Sequence, residues 1–296
     1  MTQLSSLLTE TRNPTSEHID QLSTGEMLQV INAADQEVAA AVAAEIPNIA
    51  RAVDAIVDCL AHGGHLYYLG AGTSGRLGVL DASECPPTFS VPPELVQGII
   101  AGGDGALRKS AEKAEDDPAQ GALDLQVHGF TVKDALVGIA ASGRTPYVLG
   151  AMRHAKALGA VTIGFSCVPG SDVARAAEIA ITPAVGPEVL TGSTRMKAGT
   201  ATKLVLNMLS TGAMIRSGYV YGNLMVNVQP TNDKLVDRAR RIIAAATRCD
   251  YAVAKQLLEE GGSVKTAIVM LMRELPREAA EHRLAAAHGR LREALK

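Results

Sequence analysis

The chain has 296 residues, 47% hydrophobic and 20% charged, a balance that suits a globular protein with a substantial core. Its formal net charge of −3, without a long basic run, gives no indication of nucleic-acid binding. The four cysteines form no Cys-x-x-Cys pair, the start lacks a signal-peptide pattern, and no apolar run approaches the roughly 20 residues of a membrane span. We therefore expect a cytoplasmic protein with reduced thiols and no membrane contact.

The first predicted elements along the chain are two helices. Thr24–Glu45 carries apolar side chains at helical spacing, and a second helix is expected at Ile49–Leu60, after an interruption at Pro47. A polar, extended stretch precedes them. Residues 1–54 are thus predicted to form an N-terminal arm and helices.

From His65 the pattern changes to short apolar runs, each followed by a Gly- or Ser-rich turn and a helical stretch. Continuous apolar strands that alternate with helices are typical of a parallel sheet covered on both faces. We expect residues 55–218 to form a doubly wound α/β sandwich around a five-stranded parallel sheet. The predicted strands are Leu66–Leu69, Val96–Ala101, Ala135–Ala140, Val161–Phe165 and Ile179–Ile181.

The last part of the chain is predicted to be helical. A long helix is expected at Arg195–Ser217, followed by an irregular stretch at Tyr219–Gln229. From Thr231 onward the pattern indicates helices only, so residues 219–296 are read as a small C-terminal helical appendage.

The turn after the first predicted strand has the sequence Gly-Ala-Gly-Thr-Ser-Gly, from Gly70 to Gly75. Its glycines permit tight backbone turns, and Thr73 and Ser74 offer hydroxyls beside a helix start, which suits a phosphate. An ordinary helix cap is the simpler alternative. A dinucleotide site is a weaker one, because no acidic residue ends the next strand to bind a ribose.

A second hydroxyl-rich turn, Ser142–Thr145, follows the third predicted strand. Thr145 is well placed as an N-cap and Pro146 suits the first helical position, so capping alone explains Thr145. Two such turns at the carboxyl edge of one sheet nevertheless favour a shared phosphate cradle around Ser142, Gly143 and Thr145.

A third segment, Gly186–Thr200, precedes the long helix and is rich in glycine, hydroxyl and charged residues. It includes Glu188, Ser193 and Lys197, which makes it a candidate for substrate contacts. A solvated loop that caps the helix is the alternative.

Two carboxylates are harder to place from spacing. Glu84 precedes Pro86 and Pro87, a pair that is expected to end any helix. Glu115 belongs to an acidic cluster on the helix predicted after the second strand, and such a cluster is usually a solvated face. No histidine pair has the spacing of a metal site, so no metal is expected.

Taken together, these segments resemble the N-acetylmuramic acid 6-phosphate etherase family, a branch of the SIS-domain proteins, over nearly the whole chain. The signature in Gly186–Thr200 is also shared with the glucokinase regulatory protein, and Asp81–Phe89 favours the etherase branch. The segments that carry the resemblance are Leu8–Pro14 with Ser16 and Asp20, Gly70–Gly78, Asp81–Phe89, Ile100–Gly103, Ala114–Asp117 and Gly186–Thr200.

The resemblance implies an enzyme that removes the lactyl group from a sugar phosphate, with Glu84 as catalytic acid and Glu115 as catalytic base. It also implies a homodimeric cytoplasmic protein without metal or cofactor. The substrate and its phosphate are expected to be held by Thr73, Ser74, Gly75, Ser142, Gly143, Thr145, Glu188 and Ser193. Two alternatives stay open: a SIS-type sugar-phosphate isomerase, and a regulatory protein that binds a sugar phosphate without turnover.

Overall fold

The computed structural model describes residues 8–109 and 111–296, which fold into two compact units. The first, called the sheet unit, comprises the described residues up to Ser83 together with Pro93–Ser210. The second, called the helical unit, comprises Glu84–Pro92 together with Thr211–Lys296. The domain boundaries predicted after residues 54 and 218 stay predictions.

Two helices precede the sheet, α1 (Thr24–Ala44) and α2 (Ile46–Ala61). Ser23 caps α1 reciprocally: its side chain accepts a bond from the Glu26 N–H, and the Glu26 carboxylate accepts one from the Ser23 N–H. The first predicted helix is confirmed. The second begins earlier than predicted because Pro47, instead of interrupting it, occupies its first turn.

The sheet has five parallel strands in the order β2-β1-β3-β4-β5, which confirms the predicted α/β class. Each predicted strand is present to within one residue. The strands are β1 (Leu66–Gly70), β2 (Val96–Ile100), β3 (Ala135–Ile139), β4 (Val161–Phe165) and β5 (Ile179–Ile181). The connecting helices are α3 (Gly72–Phe89), α4 (Pro118–Val127), α5 (Pro146–Leu158) and α6 (Asp172–Ala176).

The strands are apolar without alternation because helices cover the sheet. Every residue of β1 and β3 is buried. Tyr67 and Leu136 from the sheet pack with Val148 and Met152 of α5 in one core cluster. This core fixes the carboxyl ends of β1 and β3, from which the candidate turns leave.

The long helix α7 (Lys197–Arg216) follows the sheet, and helices alone follow an irregular stretch after it, as predicted. These helices carry a second core cluster, which includes Ile243, Leu258, Ile268 and Leu284. They are α8 (Asp233–Thr247), α9 (Tyr251–Gly261), α10 (Val264–Arg273), α11 (Arg277–Ala286) and α12 (Leu291–Ala294).

The proline pair does not end its helix, so that prediction is wrong. α3 continues through Pro86 and Pro87 to Phe89. Each proline removes one N–H from the helical hydrogen bonds and crowds the preceding turn. Because both lie in the last turn, few bonds are lost, and the Ser90 N–H still bonds the Pro86 carbonyl at 2.8 Å. Ser90, with a φ of 52°, follows the helix end.

Candidate active site

The turn after β1 brings the start of α3 close to the sheet edge. α3 begins at Gly72, whose φ is +53°, so Thr73 and Ser74 lie in its first turn and are half-buried. A Cβ at Gly75 would lie 2.6 Å from the Gly70 carbonyl oxygen, closer than such atoms approach. Glycine at these positions therefore allows the helix start, with its free N–H groups, to sit directly on the strand end.

The turn after β3 is rigid for a different reason. Gly143 has a φ of +69°, and a Cβ there would lie 2.2 Å from the Ser171 Cβ. Its N–H donates to the Ala140 carbonyl at 2.8 Å and its carbonyl accepts from Val173 at 2.9 Å. The turn is thus held from both sides. Thr145 occupies the N-cap of α5 as predicted, but its side chain makes no capping hydrogen bond.

The two turns leave neighbouring strand ends. β1 and β3 pair in parallel, with Gly70 opposite Ile139. The chain runs from β1 outward to β2 and then back across to β3, so this pair is the topological switch point where ligands bind in such sheets. Within residues 8–109 and 111–296, four hydroxyls here have no hydrogen-bond partner, those of Thr73, Ser74, Ser142 and Thr145.

The third candidate segment uses its carboxylate internally. Glu188 is buried, and its two oxygens accept hydrogen bonds from the N–H groups of Lys197 (2.9 Å) and Ala198 (3.0 Å) at the start of α7. Burial raises the pKa of Glu188, and these two bonds and the charge of Lys197 partly oppose that rise. Glu188 therefore caps α7 from nine residues upstream.

The start of α7 reaches the first turn. A Cβ at Gly199 would lie 3.7 Å from the Thr73 Cγ2, an ordinary contact distance, so this part of α7 adjoins α3. The Lys197 ammonium is buried and lies 3.2 Å from the Glu37 carboxylate of α1. Ser193 is half-buried in the loop before α7. The structure thus brings the segment that carries Ser193 close to the turn after β1.

The N-terminal arm, residues 8–23, binds the same segment. The Asn13 side chain donates to the Pro187 carbonyl at 3.3 Å, and the Ser16 hydroxyl donates to the Val189 carbonyl at 2.8 Å. Both arm residues are buried. Sequence reasoning assigned no role to this arm, although Asn13 and Ser16 belong to the motifs that carry the family resemblance.

Glu115 lies beside the start of α3. It belongs to a 3-10 helix, Glu112–Asp116, and not to the α-helix predicted there, because the Asp117 side chain caps a separate helix, α4, that begins at Pro118. A cavity of about 50 Å³ is lined by Glu115, Gly72 and Arg76, together with alanines 71, 101, 106 and 111. The sequence prediction assigned no role to Arg76, although this residue directly follows Gly75 of the first turn.

Glu84 is exposed on α3 and belongs to the helical unit, whereas Glu115 belongs to the sheet unit. Its neighbour Cys85 is buried. The catalytic pairing of the two glutamates stays a prediction.

None of the helices in the described part of the chain combines the length and apolar character that a membrane crossing requires. Among the same residues, no three His, Cys, Asp or Glu side chains are grouped as a metal site would need. None of the four cysteines, all of which lie in the described ranges, forms a disulfide.

The fold and its turns define the class of protein. A family model described as the glucokinase regulatory protein N-terminal SIS domain matches residues 48–156, and one described as the SIS domain matches residues 118–212. These two matches span all five strands. The chain therefore contains a SIS domain.

Three relatives of this chain share the name N-acetylmuramic acid 6-phosphate etherase. The relative from Aeromonas hydrophila subsp. hydrophila is 59% identical, over 97% of this chain and 96% of its own length. That from Pasteurella multocida is 57% identical, over 98% and 96%. That from Actinobacillus pleuropneumoniae serotype 5b is 55% identical, over 100% and 97%. The chain belongs to the N-acetylmuramic acid 6-phosphate etherase family, which confirms the resemblance.

Proposed function

We propose that this protein is an enzyme that cleaves the D-lactyl ether of N-acetylmuramic acid 6-phosphate, yielding N-acetylglucosamine 6-phosphate and D-lactate. The observation that carries the proposal is the cavity that Glu115 shares with Gly72, directly before the hydroxyls of Thr73 and Ser74. A carboxylate beside a phosphate grip is what acid–base chemistry on a sugar phosphate requires. The names of the relatives identify the sugar.

The chemistry follows from the inertness of an ether to direct hydrolysis near neutral pH. Opening of the sugar ring exposes an aldehyde at C1, which acidifies the proton on C2. Removal of that proton and departure of lactate from C3 leave a C2–C3 double bond. Water then adds, placing a hydroxyl on C3 and a proton on C2. The net reaction consumes one water, and neither step is a net oxidation or reduction.

The two glutamates take complementary roles in this scheme. Glu115 removes the C2 proton and later activates the water, while Glu84 protonates the departing lactate. A positioned acid or base typically contributes about 10²–10⁴-fold to the rate. The assignment is supported by the place of Glu115 in the cavity and, for Glu84, by the family motif in which it lies.

The phosphate is proposed to lie between the two turns. Thr73, Ser74 and the backbone at Gly75 hold it from the α3 side. Ser142, Gly143 and Thr145 hold it from the α5 side. Support comes from the pairing of β1 with β3 and from the four hydroxyls described above.

Glu188 and Ser193 complete the proposed substrate site. Glu188 acts mainly by fixing the start of α7 next to Thr73, since both its oxygens bond to that helix. Ser193, half-buried in the loop before α7, is proposed to offer its hydroxyl directly. We further propose a cytoplasmic homodimer that needs no metal or cofactor, in keeping with the redox balance of the reaction. Light scattering on the purified protein tests the dimer.

The test is release of D-lactate from N-acetylmuramic acid 6-phosphate by the purified protein. Glu115→Gln and Glu84→Gln are expected to lower kcat by at least about 10²-fold. Asp116→Asn and Glu94→Gln, at exposed acidic positions, serve as matched controls with unchanged turnover. Near-normal release by either glutamine variant removes that glutamate from the mechanism.

The same assay separates the alternatives. Binding of the sugar phosphate by the wild-type protein without lactate release would favour a regulatory role. Conversion of an aldose phosphate to a ketose phosphate, again without lactate, would favour an isomerase.

A further inference from the structure

Arg76 on α3 makes two hydrogen bonds to a loop that leads towards Glu115. Its Nη2 donates to the Ala106 carbonyl at 2.7 Å and its Nε donates to the Leu107 carbonyl at 3.1 Å. Both carbonyls belong to the 3-10 helix Asp104–Leu107, which follows β2. Carbonyls at a helix end lack partners of their own, and a guanidinium presents its donors in a fixed fork that suits two of them.

The loop held by Arg76 contacts the residues around Glu115. A Cβ at Gly102 would lie 2.8 Å from the Ala111 Cβ, 3.4 Å from the Ala106 Cβ and 3.5 Å from the Ala114 Cβ. The three alanines therefore surround one glycine whose φ is +86°. Ala106, whose carbonyl Arg76 binds, is thus packed in the same group as the residue that precedes Glu115.

The other side of this group is fixed by the core. Ala114 packs against the core cluster that contains β1 and α5 residues. A few residues later, the Pro118 carbonyl fits against α5 so closely that a Cβ on Gly150 would lie 1.8 Å from it. The Glu115 backbone is therefore anchored by the core, whereas the loop facing it across the cavity is tied to α3 by the two bonds of Arg76.

We infer that Arg76 is a positioning residue that shapes the cavity in which the Glu115 carboxylate works. The inference rests on the proposed function and deepens it, because Arg76 acts on the base without touching the reacting carbons. Arg76 lies on α3, whose first turn is proposed to bind the phosphate, and it binds the loop next to Glu115. A misplacement of about 1 Å at a catalytic group can cost about 10²-fold in rate.

The experiment compares Arg76→Ala with Arg76→Lys and with Arg108→Ala. Arg108 is exposed and directly follows the same 3-10 helix, so it controls for charge near the loop. We expect Arg76→Ala to lower kcat by about 10²-fold while KM changes by less than about threefold. Arg76→Lys restores part of kcat through its single ammonium, and Arg108→Ala behaves as wild type.

Chemical rescue adds a readout that a general loss of stability would not give. Millimolar guanidinium chloride is expected to raise kcat of Arg76→Ala severalfold and to leave Glu115→Gln unchanged, because only the first variant lacks a guanidinium. Incorporation of solvent deuterium at C2 of the product should follow kcat in both variants. Should Arg76→Ala fail to fold, Arg76→Lys carries the same comparison through its kcat and its KM.

A rise in KM for the phosphorylated substrate with unchanged kcat would overturn the inference, since it would make Arg76 a phosphate ligand. Wild-type kcat in Arg76→Ala would overturn it too. Both results leave the proposed function intact as long as wild-type protein releases lactate and Glu115→Gln does not. Absence of lactate from the wild type would instead refute the proposed function.

Discussion

The two turns at the switch point and the segment Gly186–Thr200 are all rich in glycine and polar residues but use their polar groups differently. In the turns, the hydroxyls of Ser74 and Ser142 have no hydrogen-bond partner within residues 8–109 and 111–296. In the segment Gly186–Thr200, the Glu188 carboxylate accepts hydrogen bonds from two backbone N–H groups, and Lys197, at the start of α7, pairs with Glu37. A segment rich in glycine and polar side chains can therefore serve either to bind a ligand or to stabilise the fold.

The turns and the segment Gly186–Thr200 differ in whether their polar side chains form hydrogen bonds within the protein. A buried carboxylate is costly unless it is bonded, and the two N–H groups at the start of α7 offset part of that cost for Glu188. A hydroxyl at a half-buried helix start can stay available for a ligand, because water can hydrogen-bond to it when no ligand is bound. The comparison predicts that loss of a hydroxyl in the turns alters binding, whereas loss of the Glu188 carboxylate alters stability.

The largest effect is expected from Gly143→Ala. Its positive φ costs a side chain about 1–2 kcal/mol and the clash with Ser171 about 1–3 kcal/mol more, so the free energy of unfolding should fall by about 2–5 kcal/mol. Gly72→Ala is the matched control in the other turn, with a φ of +53° and nothing within 4 Å, and should lose only about 1–2 kcal/mol. Urea denaturation measures both. Equal losses would show that a Cβ at position 143 does not clash with Ser171.

Next come Ser74→Ala and Ser142→Ala, which remove hydroxyls proposed to bind the phosphate. A hydrogen bond to a charged group is worth about 1.5–3 kcal/mol, so KM should rise roughly 10–100-fold with little change in stability. Ser171→Ala is the control: it loses the bond to the Ala174 N–H that caps α6, and should lower stability without raising KM. An unchanged KM in either turn variant would remove that serine from the phosphate site.

Glu188→Gln tests the opposite half of the comparison. A glutamine offers one oxygen to two N–H groups, so the free energy of unfolding should fall by about 1–3 kcal/mol, with a smaller rise in KM than Ser74→Ala gives.

The effect of Glu188 on stability should also depend on pH. A raised pKa makes the folded state bind the proton more readily, so Glu188 stabilises the folded state most in acid, and this contribution is lost as pH rises through its folded-state pKa. The stability difference between wild type and variant should therefore shrink from about pH 4 upward. A difference that grows with pH would contradict it.

The smallest effect on stability is expected from Thr145→Ala. A capping threonine usually contributes about 1 kcal/mol, but this one makes no capping bond, so the loss should stay below about 0.5 kcal/mol while KM rises. Ser263→Ala provides the contrast, because the Ser263 hydroxyl accepts the Thr266 N–H at 3.1 Å and caps α10. Thermal unfolding of the two variants side by side measures the difference.

Much of the sheet could be predicted from the sequence because burial on both faces leaves a continuous apolar run. β4, Val161–Phe165, and β5, Ile179–Ile181, have the predicted bounds. The helix start at Pro146 was also predictable, since proline is favoured in the first turn of a helix. Proline was misleading at Pro86 and Pro87, where the general rule for helix interiors does not hold in a last turn.

The residues of the candidate site could be predicted from the sequence, but the hydrogen bonds that connect its segments could not. The hydroxyls of the two turns are local signals, and the strand order then places them together. The hydrogen bonds of Glu188 and Arg76 join segments that are far apart in the sequence, so residue spacing does not predict them. Arg76, for example, binds carbonyls 30 and 31 residues away. Glu115 could be selected only by resemblance, because the acidic residues around it form a pattern that is usual on any solvated surface.

The attachment of the N-terminal arm has a consequence for how the molecule is made. Asn13 and Ser16 leave the ribosome before the carbonyls they bind, which lie 174 and 173 residues later. At a synthesis rate of about 5–20 residues per second, roughly 10–35 s pass between the synthesis of the arm and that of the loop it binds. During translation the arm must therefore stay unattached, and its closure onto the loop is among the last events in the maturation of the sheet unit.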